Sequence, residues 1–201
     1  METNGAVAPR DGMLHRQFSH PSGVLGALIG TAMAIEHREL HRAVVRRLDL
    51  DVTDRVLEIG FGPGTAVRMA ASRASFVAGI DPSREMVQQA SRRNRAAIRS
   101  GRVELLRASV SAIPYPNDAF TVAFEVNSYH HWDGRVVGLR EIFRVLGPGG
   151  RLLMSLSQAH GEPLLPQIRQ VTDVLADIGF SRVSVEEHRF GHRGAFVSAR
   201  R

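Results

Sequence analysis

The chain has 201 residues, of which 43% are hydrophobic and 23% charged, a balance typical of one soluble folded domain and not of a disordered or coiled-coil protein. It contains no cysteine, and all 26 basic residues are arginine, which excludes disulfides, thiolate metal sites, a cysteine nucleophile and a Schiff-base lysine. The net charge of +6 permits contact with phosphates, but arginines without interleaved aromatic residues more often form a solvated face.

The first fifty residues predict a polar tail followed by two helices. Residues 1–12 are polar and contain two glycines and a proline, whereas apolar residues recur at helical spacing over 21–34 and 36–48. The longest apolar stretch, residues 24–35, is shorter than the roughly 20 residues that a membrane helix needs. We therefore expect no transmembrane segment, a cytoplasmic location, a helical cap over 13–50 and the main domain over 51–201.

Seven short β-rich runs follow, with helical patterns between most of them. The runs are Arg55–Ile59, Ser75–Asp81, Val103–Arg107, Phe120–Val126, Gly150–Ser157, Ser181–His188 and Ala195–Ala199. Such alternation is typical of a parallel sheet with helices on both faces. The last two runs are too close for a crossover helix, so the final strand should be antiparallel. The sequence predicts a single α/β, Rossmann-like, doubly wound sheet of seven strands with N-terminal helices.

The most specific motif is a strand that runs into the glycine turn Glu58-x-Gly60-x-Gly62-x-Gly64. Glycines permit positive φ and a close approach to a ligand, and the helix that follows offers free N–H groups. The next strand ends at Asp81, whose oxygens can accept bonds from both hydroxyls of a ribose and can also cap the following helix. The glycine spacing does not fit a dinucleotide fingerprint and disfavours NAD.

This combination resembles motif I and the acidic motif of the class I S-adenosylmethionine-dependent methyltransferases. Residues 103–118, 120–132 and 139–154 resemble later motifs of the small-molecule branch that includes quinone-biosynthesis C-methyltransferases. The resemblance covers about residues 40–200. It implies S-adenosylmethionine as cofactor, S-adenosylhomocysteine as product, and a small-molecule or lipid-like acceptor that is methylated on oxygen, carbon or nitrogen.

Carried over position by position, the resemblance implies one cofactor site after the strands. Its residues are Glu58, Gly60, Phe61, Gly62, Gly64, Asp81, Pro82, Ser83, Met86, Ser109, Val110 and Asn127. In this assignment the glycine turn borders the methionine part, Asp81 holds the ribose, and Asn127 faces the reactive methyl group. Ser109 and Thr121 replace aspartates that are usual in the family. Ser109 thus places a hydroxyl where the family has a carboxylate near the adenine.

His130, His131 and Tyr129, directly after the fourth strand, are candidate catalytic residues. Methyl transfer needs aligned reactants and, for a neutral nucleophile, a base with a pKa near neutrality, which histidine provides. Tyr129 is expected to pack on the substrate. The alternative is that the run only packs the loop. No histidine group has a complete metal-ligand spacing, so no metal is predicted.

Three other functions stay open at this stage. The positive charge permits an RNA methyltransferase, although Asn127-Ser128-Tyr129-His130 lacks the double proline usual in enzymes that methylate base amines, and a nucleic-acid acceptor is disfavoured. A cofactor-binding regulatory module with weak catalysis would fit the altered Ser109 and Thr121. An NAD-linked oxidoreductase is the third. The oligomeric state is open, and we expect residues 13–50 to cover the site as a lid, because methyl transfer needs a site closed to water.

Overall fold

The computed structural model describes residues 38–158 and 163–201, and within them seven strands form one sheet. The strands are β1 (Arg55–Ile59), β2 (Phe76–Asp81), β3 (Val103–Arg107), β4 (Phe120–Val126), β5 (Leu146–Ser157), β6 (Ser181–Phe190) and β7 (His192–Arg200). Their order is β3-β2-β1-β4-β5-β7-β6. The strands β1 to β5 are parallel, and β7 is antiparallel to both of its neighbours. The predicted α/β sheet with an antiparallel last strand is confirmed.

Six α-helical segments of the described residues cover the two faces of this sheet. They are α1 (residues 38–47), α2 (Thr65–Ala70), α3 (Arg84–Arg93), α4 (Arg95–Arg99), α5 (Arg135–Val145) and α6 (Leu164–Ile178). Because successive side chains of a strand point to opposite faces, β1 contributes to two apolar clusters. Ile59 lies in one cluster with Ile142 of α5, and Val56 lies in the other with Val44 of α1 and Val67 of α2.

The N-terminal prediction is described only in part. Leu40, Val44, Val45 and Leu48 are buried at helical spacing against the sheet, as the predicted helix over 36–48 requires. The predicted tail over 1–12, the helix over 21–34 and the rest of the lid lie outside the described residues and stay predictions. No helix among the described residues is both long and apolar enough to cross a membrane.

The Gly-Pro-Gly-Gly segment at residues 147–150 lies within β5, whereas the sequence predicted that this strand begins at Gly150. Leu146 pairs with Phe120, and Arg151 pairs with Val122, so this segment bulges between them. The Gly149 N–H donates to the Arg201 carbonyl oxygen at 2.9 Å. The predicted start of the strand is therefore wrong, because pairing with the end of the chain extends it.

Candidate cofactor and acceptor site

The predicted site residues meet at one edge of the sheet. The strand order reverses between β1 and β4, and open α/β sheets bind ligands at the carboxyl ends of their strands beside such a switch point. The glycine turn follows β1, Asp81 ends β2, and Asn127 follows β4. The fold thus brings together the three groups that the sequence separates by almost seventy residues.

The three glycines of the turn have left-handed backbones but different surroundings. Their φ values are 67° at Gly60, 50° at Gly62 and 74° at Gly64. A Cβ on Gly60 would lie 2.5 Å from the Cβ of Ser128, and a Cβ on Gly64 would lie 2.6 Å from the Cβ of Ala90. A Cβ on Gly62 would meet no atom within 4 Å. Gly60 and Gly64 therefore permit close packing, whereas Gly62 borders open space that a ligand can fill.

Asp81 ties this turn to the end of β2. Its carboxylate is buried, with Oδ2 accepting from the Gly62 N–H at 2.9 Å and Oδ1 accepting from the Ser83 N–H at 2.9 Å. The predicted capping of a helix by Asp81 is wrong, because α3 begins at Arg84 and Ser83 accepts from the Met86 N–H at 3.2 Å. Each carboxylate oxygen retains a lone pair for a ligand hydroxyl.

Several buried side-chain oxygens near this edge have no hydrogen-bond partner among the described residues, and Oε2 of Glu58 and Oδ1 of Asn127 belong to predicted cofactor residues. Burial raises the pKa of Glu58 well above its usual range, a hydrogen bond with the Val67 backbone opposes this, and Asp81 and Glu125 add repulsion. A buried polar group without a partner costs about 1–3 kcal/mol. Together with the open face of Gly62, these atoms fit a polar cofactor bound along the turn.

The residues predicted around the adenine are placed less uniformly. Pro82 and Ser109 are exposed, and Met86 is half-buried against the cluster on the α1 side. The Ser109 hydroxyl accepts from the Ser111 N–H at 3.2 Å. Val110 is buried in the core, and Phe61 is buried beneath the turn, so both side chains pack the walls of the site.

The loop after β4 contains a single 3-10 turn over Tyr129–His131. Tyr129 is only 2% exposed and lies edge-on to Trp132, with 5.2 Å between the ring centroids. The ring is therefore part of the core here, and its predicted contact with an acceptor stays a prediction. His130 is half-buried and His131 exposed, and their ring centroids are 3.8 Å apart.

Sequence reasoning missed Glu125, the carboxylate beneath this loop. Glu125 is fully buried on β4 and accepts backbone N–H bonds from Ser128 at 2.7 Å, Tyr129 at 3.2 Å and Ser155 at 2.8 Å. Burial raises its pKa to about 7, and these hydrogen bonds pull in the opposite direction. The available signal was a charged residue inside an apolar strand, since Glu is almost never fully buried without partners.

Comparison with known proteins agrees with this arrangement. Residues 57–154 match the family model described as a methyltransferase domain. The chain is 30% identical over 131 residues to the uncharacterized methyltransferase YdaC of Bacillus subtilis, which covers 64% of this chain and 70% of that protein. It is 39% identical over 108 residues to the 27-O-demethylrifamycin SV methyltransferase of Amycolatopsis mediterranei, which covers 53% of this chain and 40% of that protein.

Two further comparisons concern the branch and the fold. The ubiquinone/menaquinone biosynthesis C-methyltransferase UbiE of Geotalea daltonii is 33% identical over 123 residues, covering 58% of this chain and 51% of that protein. A solved S-adenosylmethionine-dependent methyltransferase from Aquifex aeolicus has the same fold, with a TM-score of 0.66, 22% identity, and coverage of 80% of this chain and 88% of that one.

The fold and the glycine turn with its paired carboxylate define a class I, S-adenosylmethionine-dependent methyltransferase. The chain belongs to this methyltransferase family. The resemblance to the quinone-biosynthesis enzymes that the sequence indicated is also confirmed.

Proposed function

We propose that this protein transfers the methyl group of S-adenosylmethionine to a small-molecule acceptor. The observation that carries the proposal is the Gly62 backbone, which is open on its outer side and fixed by the Asp81 carboxylate at 2.9 Å. Such a turn lets a ligand approach the main chain while the carboxylate remains available to hydroxyl groups.

The bound cofactor supplies an electrophilic methyl on a sulfonium, and the chain supplies alignment and proton removal. Asp81 would hold the ribose hydroxyls, and the unpartnered oxygens of Glu58 and Asn127 would bond the methionine part and orient the reactive end. His130 or His131 would accept the proton from the acceptor. Tyr129 and Glu125 are both buried, so we assign proton removal to neither of them.

The acceptor class is proposed from the relatives. One acts on a demethylrifamycin oxygen and another on carbon in ubiquinone and menaquinone biosynthesis. We infer that this chain accepts a hydroxylated polycyclic or quinone-like molecule. A nucleic-acid acceptor is disfavoured, because the loop after β4 has Ser128 and Tyr129 where base-amine methyltransferases have prolines.

Calorimetric titration with S-adenosylmethionine, S-adenosylhomocysteine and NAD tests the cofactor assignment. The wild type should bind the first two and not NAD. Asp81→Asn keeps one acceptor oxygen and Asp81→Ala keeps none, so affinity for S-adenosylhomocysteine should fall progressively, by about 1.5–3 kcal/mol in Asp81→Ala. Asp173→Asn, at an exposed position on α6, is the matched control. Equal affinity in Asp81→Ala and wild type would reject the assignment of Asp81.

A further inference from the structure

A buried junction beneath the acceptor loop connects three strands. Oε1 of Glu125 accepts from the Ser155 N–H of β5 at 2.8 Å, and its Oε2 accepts from the Ser128 N–H at 2.7 Å. The Tyr129 N–H donates to the same Oε2 at 3.2 Å. One carboxylate on β4 thus binds β5 on one side and the first turn of the loop on the other.

Ser128 extends this junction to β1 and to the end of the loop. Its hydroxyl donates to the Ile59 carbonyl oxygen at 2.9 Å and accepts from Trp132 Nε1 at 3.1 Å, and it lies 3.1 Å from Glu125 Oε2. Because a Cβ on Gly60 would lie 2.5 Å from the Cβ of Ser128, the serine also packs directly beneath the glycine turn. The junction therefore touches both the cofactor turn and the loop that contains His130 and His131.

We propose that Glu125 is a positioning residue that fixes the His130–His131 loop against the glycine turn through Ser128. This inference rests on the proposed function, since it concerns the alignment of acceptor and methyl group. Glu125 is 0% exposed and acts only through the backbone that it holds. A loop held on one side alone would leave the histidines out of line, and misplacement by about 1 Å can lower a rate a hundredfold.

Glu125→Gln is the direct test. A carboxylate accepts bonds on both sides, whereas an amide accepts on one side and presents N–H donors on the other. In the glutamine variant either the Ser155 N–H or the N–H groups of Ser128 and Tyr129 must therefore face a donor. Glu141→Gln is the matched control, because Glu141 accepts the Ile113 N–H at 3.0 Å and lies on α5, outside this junction.

Amide hydrogen exchange by NMR gives a readout that does not require activity. In Glu125→Gln, either the Ser155 amide or the Ser128 and Tyr129 amides should exchange about tenfold faster or more, while the Ile113 amide keeps its rate. With an acceptor known, kcat should fall about tenfold or more, and the Kd for S-adenosylhomocysteine should change less than about threefold. Wild-type exchange at all three amides, those of Ser128, Tyr129 and Ser155, would overturn the proposal, as would equal acceleration of these amides in Glu141→Gln.

Ser128→Ala keeps the test decisive if Glu125→Gln does not fold. Trp132 is the single tryptophan of the chain, so tryptophan emission reports on the surroundings of this one ring. Loss of the Ser128 hydroxyl should shift this emission and reduce its response to S-adenosylhomocysteine, and an unchanged spectrum with an unchanged response would overturn the proposal. Absence of cofactor binding by the wild type rejects the proposed function, whereas the exchange rates without ligand decide the role of Glu125.

Discussion

At the residue scale, Gly60 and Gly62 have similar positive φ values but differ in what surrounds them. Alanine at Gly62 costs only the left-handed backbone, about 1–2 kcal/mol. Alanine at Gly60 adds a contact of 2.5 Å with Ser128 and should cost about 3 kcal/mol or more, because overpacking a buried site adds further strain.

Urea denaturation and calorimetry on the two variants check this difference. In Gly62→Ala, the loss of binding free energy for S-adenosylhomocysteine should exceed the loss of free energy of unfolding. In Gly60→Ala, the loss of free energy of unfolding should be the larger of the two. The reverse order would mean that the cofactor does not approach the Gly62 side of the turn.

The two histidines of the loop differ in exposure and can be separated by substitution. His130→Gln and His131→Gln each keep a polar side chain but remove the imidazole that is proposed to accept the proton. The variant that lacks the base should lose about a hundredfold in kcat, with nearly unchanged affinity for S-adenosylhomocysteine. Steady-state kinetics with an identified acceptor measures this. Equal turnover in both variants and wild type would assign the pair to loop packing.

At the element scale, the end of α3 supports the glycine turn. Asn94 is buried, and its Nδ2 donates to the Gly64 carbonyl oxygen at 3.1 Å and to the Ala90 carbonyl oxygen at 2.9 Å. Asn94→Ala leaves the Gly64 carbonyl without this donor and should destabilise the protein by about 1–3 kcal/mol. It should also weaken cofactor binding, because the turn loses its support.

Thermal unfolding and calorimetry of Asn94→Ala test this support, with Gln89→Ala, at an exposed position on the same helix, as control. If both variants bind S-adenosylhomocysteine like the wild type, α3 does not support the turn.

Most elements were predictable from local patterns, and the exceptions depend on distant pairing. The strands β1, β3 and β4 have the bounds that the sequence predicted. The segment before Arg151 was misassigned, because its pairing depends on backbone hydrogen bonds with Arg201, which is distant in the sequence. The tip of the β6–β7 hairpin is a single residue, Gly191, with a φ of 70°, so these strands are longer than predicted.

The candidate site was predictable where a motif specifies backbone geometry, and less so where burial decides. The positive φ values of the turn and the position of Asp81 at the end of β2 follow from the sequence. The pattern did not show that Tyr129 points into the core or that Glu125 lies beneath the loop, because the direction of a side chain after a strand depends on the packing of neighbouring elements.

At the scale of the whole molecule, three of the four buried acidic side chains of the described residues lie at one edge of the sheet, in a chain with a net charge of +6. Glu58, Asp81 and Glu125 are all buried there. Burial of these carboxyl groups is costly, but it leaves acceptor oxygens of Glu58 and Asp81 where the polar cofactor would bind. This edge is therefore suited to bind the cofactor, but the buried carboxyl groups lower the free energy of unfolding of the cofactor-free protein.

The same burial predicts how stability depends on pH. The folded-state pKa of Glu125 is raised to about 7 from an ordinary value of 4.5. Ionisation of the buried group therefore costs nothing below about pH 4.5, and it lowers the free energy of unfolding increasingly until the pH passes 7. Glu58 acts in the same direction. His188 acts in the opposite direction below pH 6.5, because burial lowers its pKa in the folded state. In that range the unfolded chain binds more protons at this histidine than the folded chain, so stability rises with pH. The folded protein should thus lose stability from pH 5 to pH 8 through the two glutamates.

Subtraction isolates the contribution of Glu125. Measured by urea denaturation, the stability of the wild type relative to Glu125→Gln should fall by about 2–3 kcal/mol between pH 5 and pH 8, because glutamine does not titrate. His188→Gln should remove only the increase in the free energy of unfolding with pH below 6.5. The decrease toward pH 7 that the glutamates cause should remain. Parallel profiles for the wild type and Glu125→Gln over this range would show that Glu125 keeps its ordinary pKa, and would contradict a carboxylate whose charged form is disfavoured by burial.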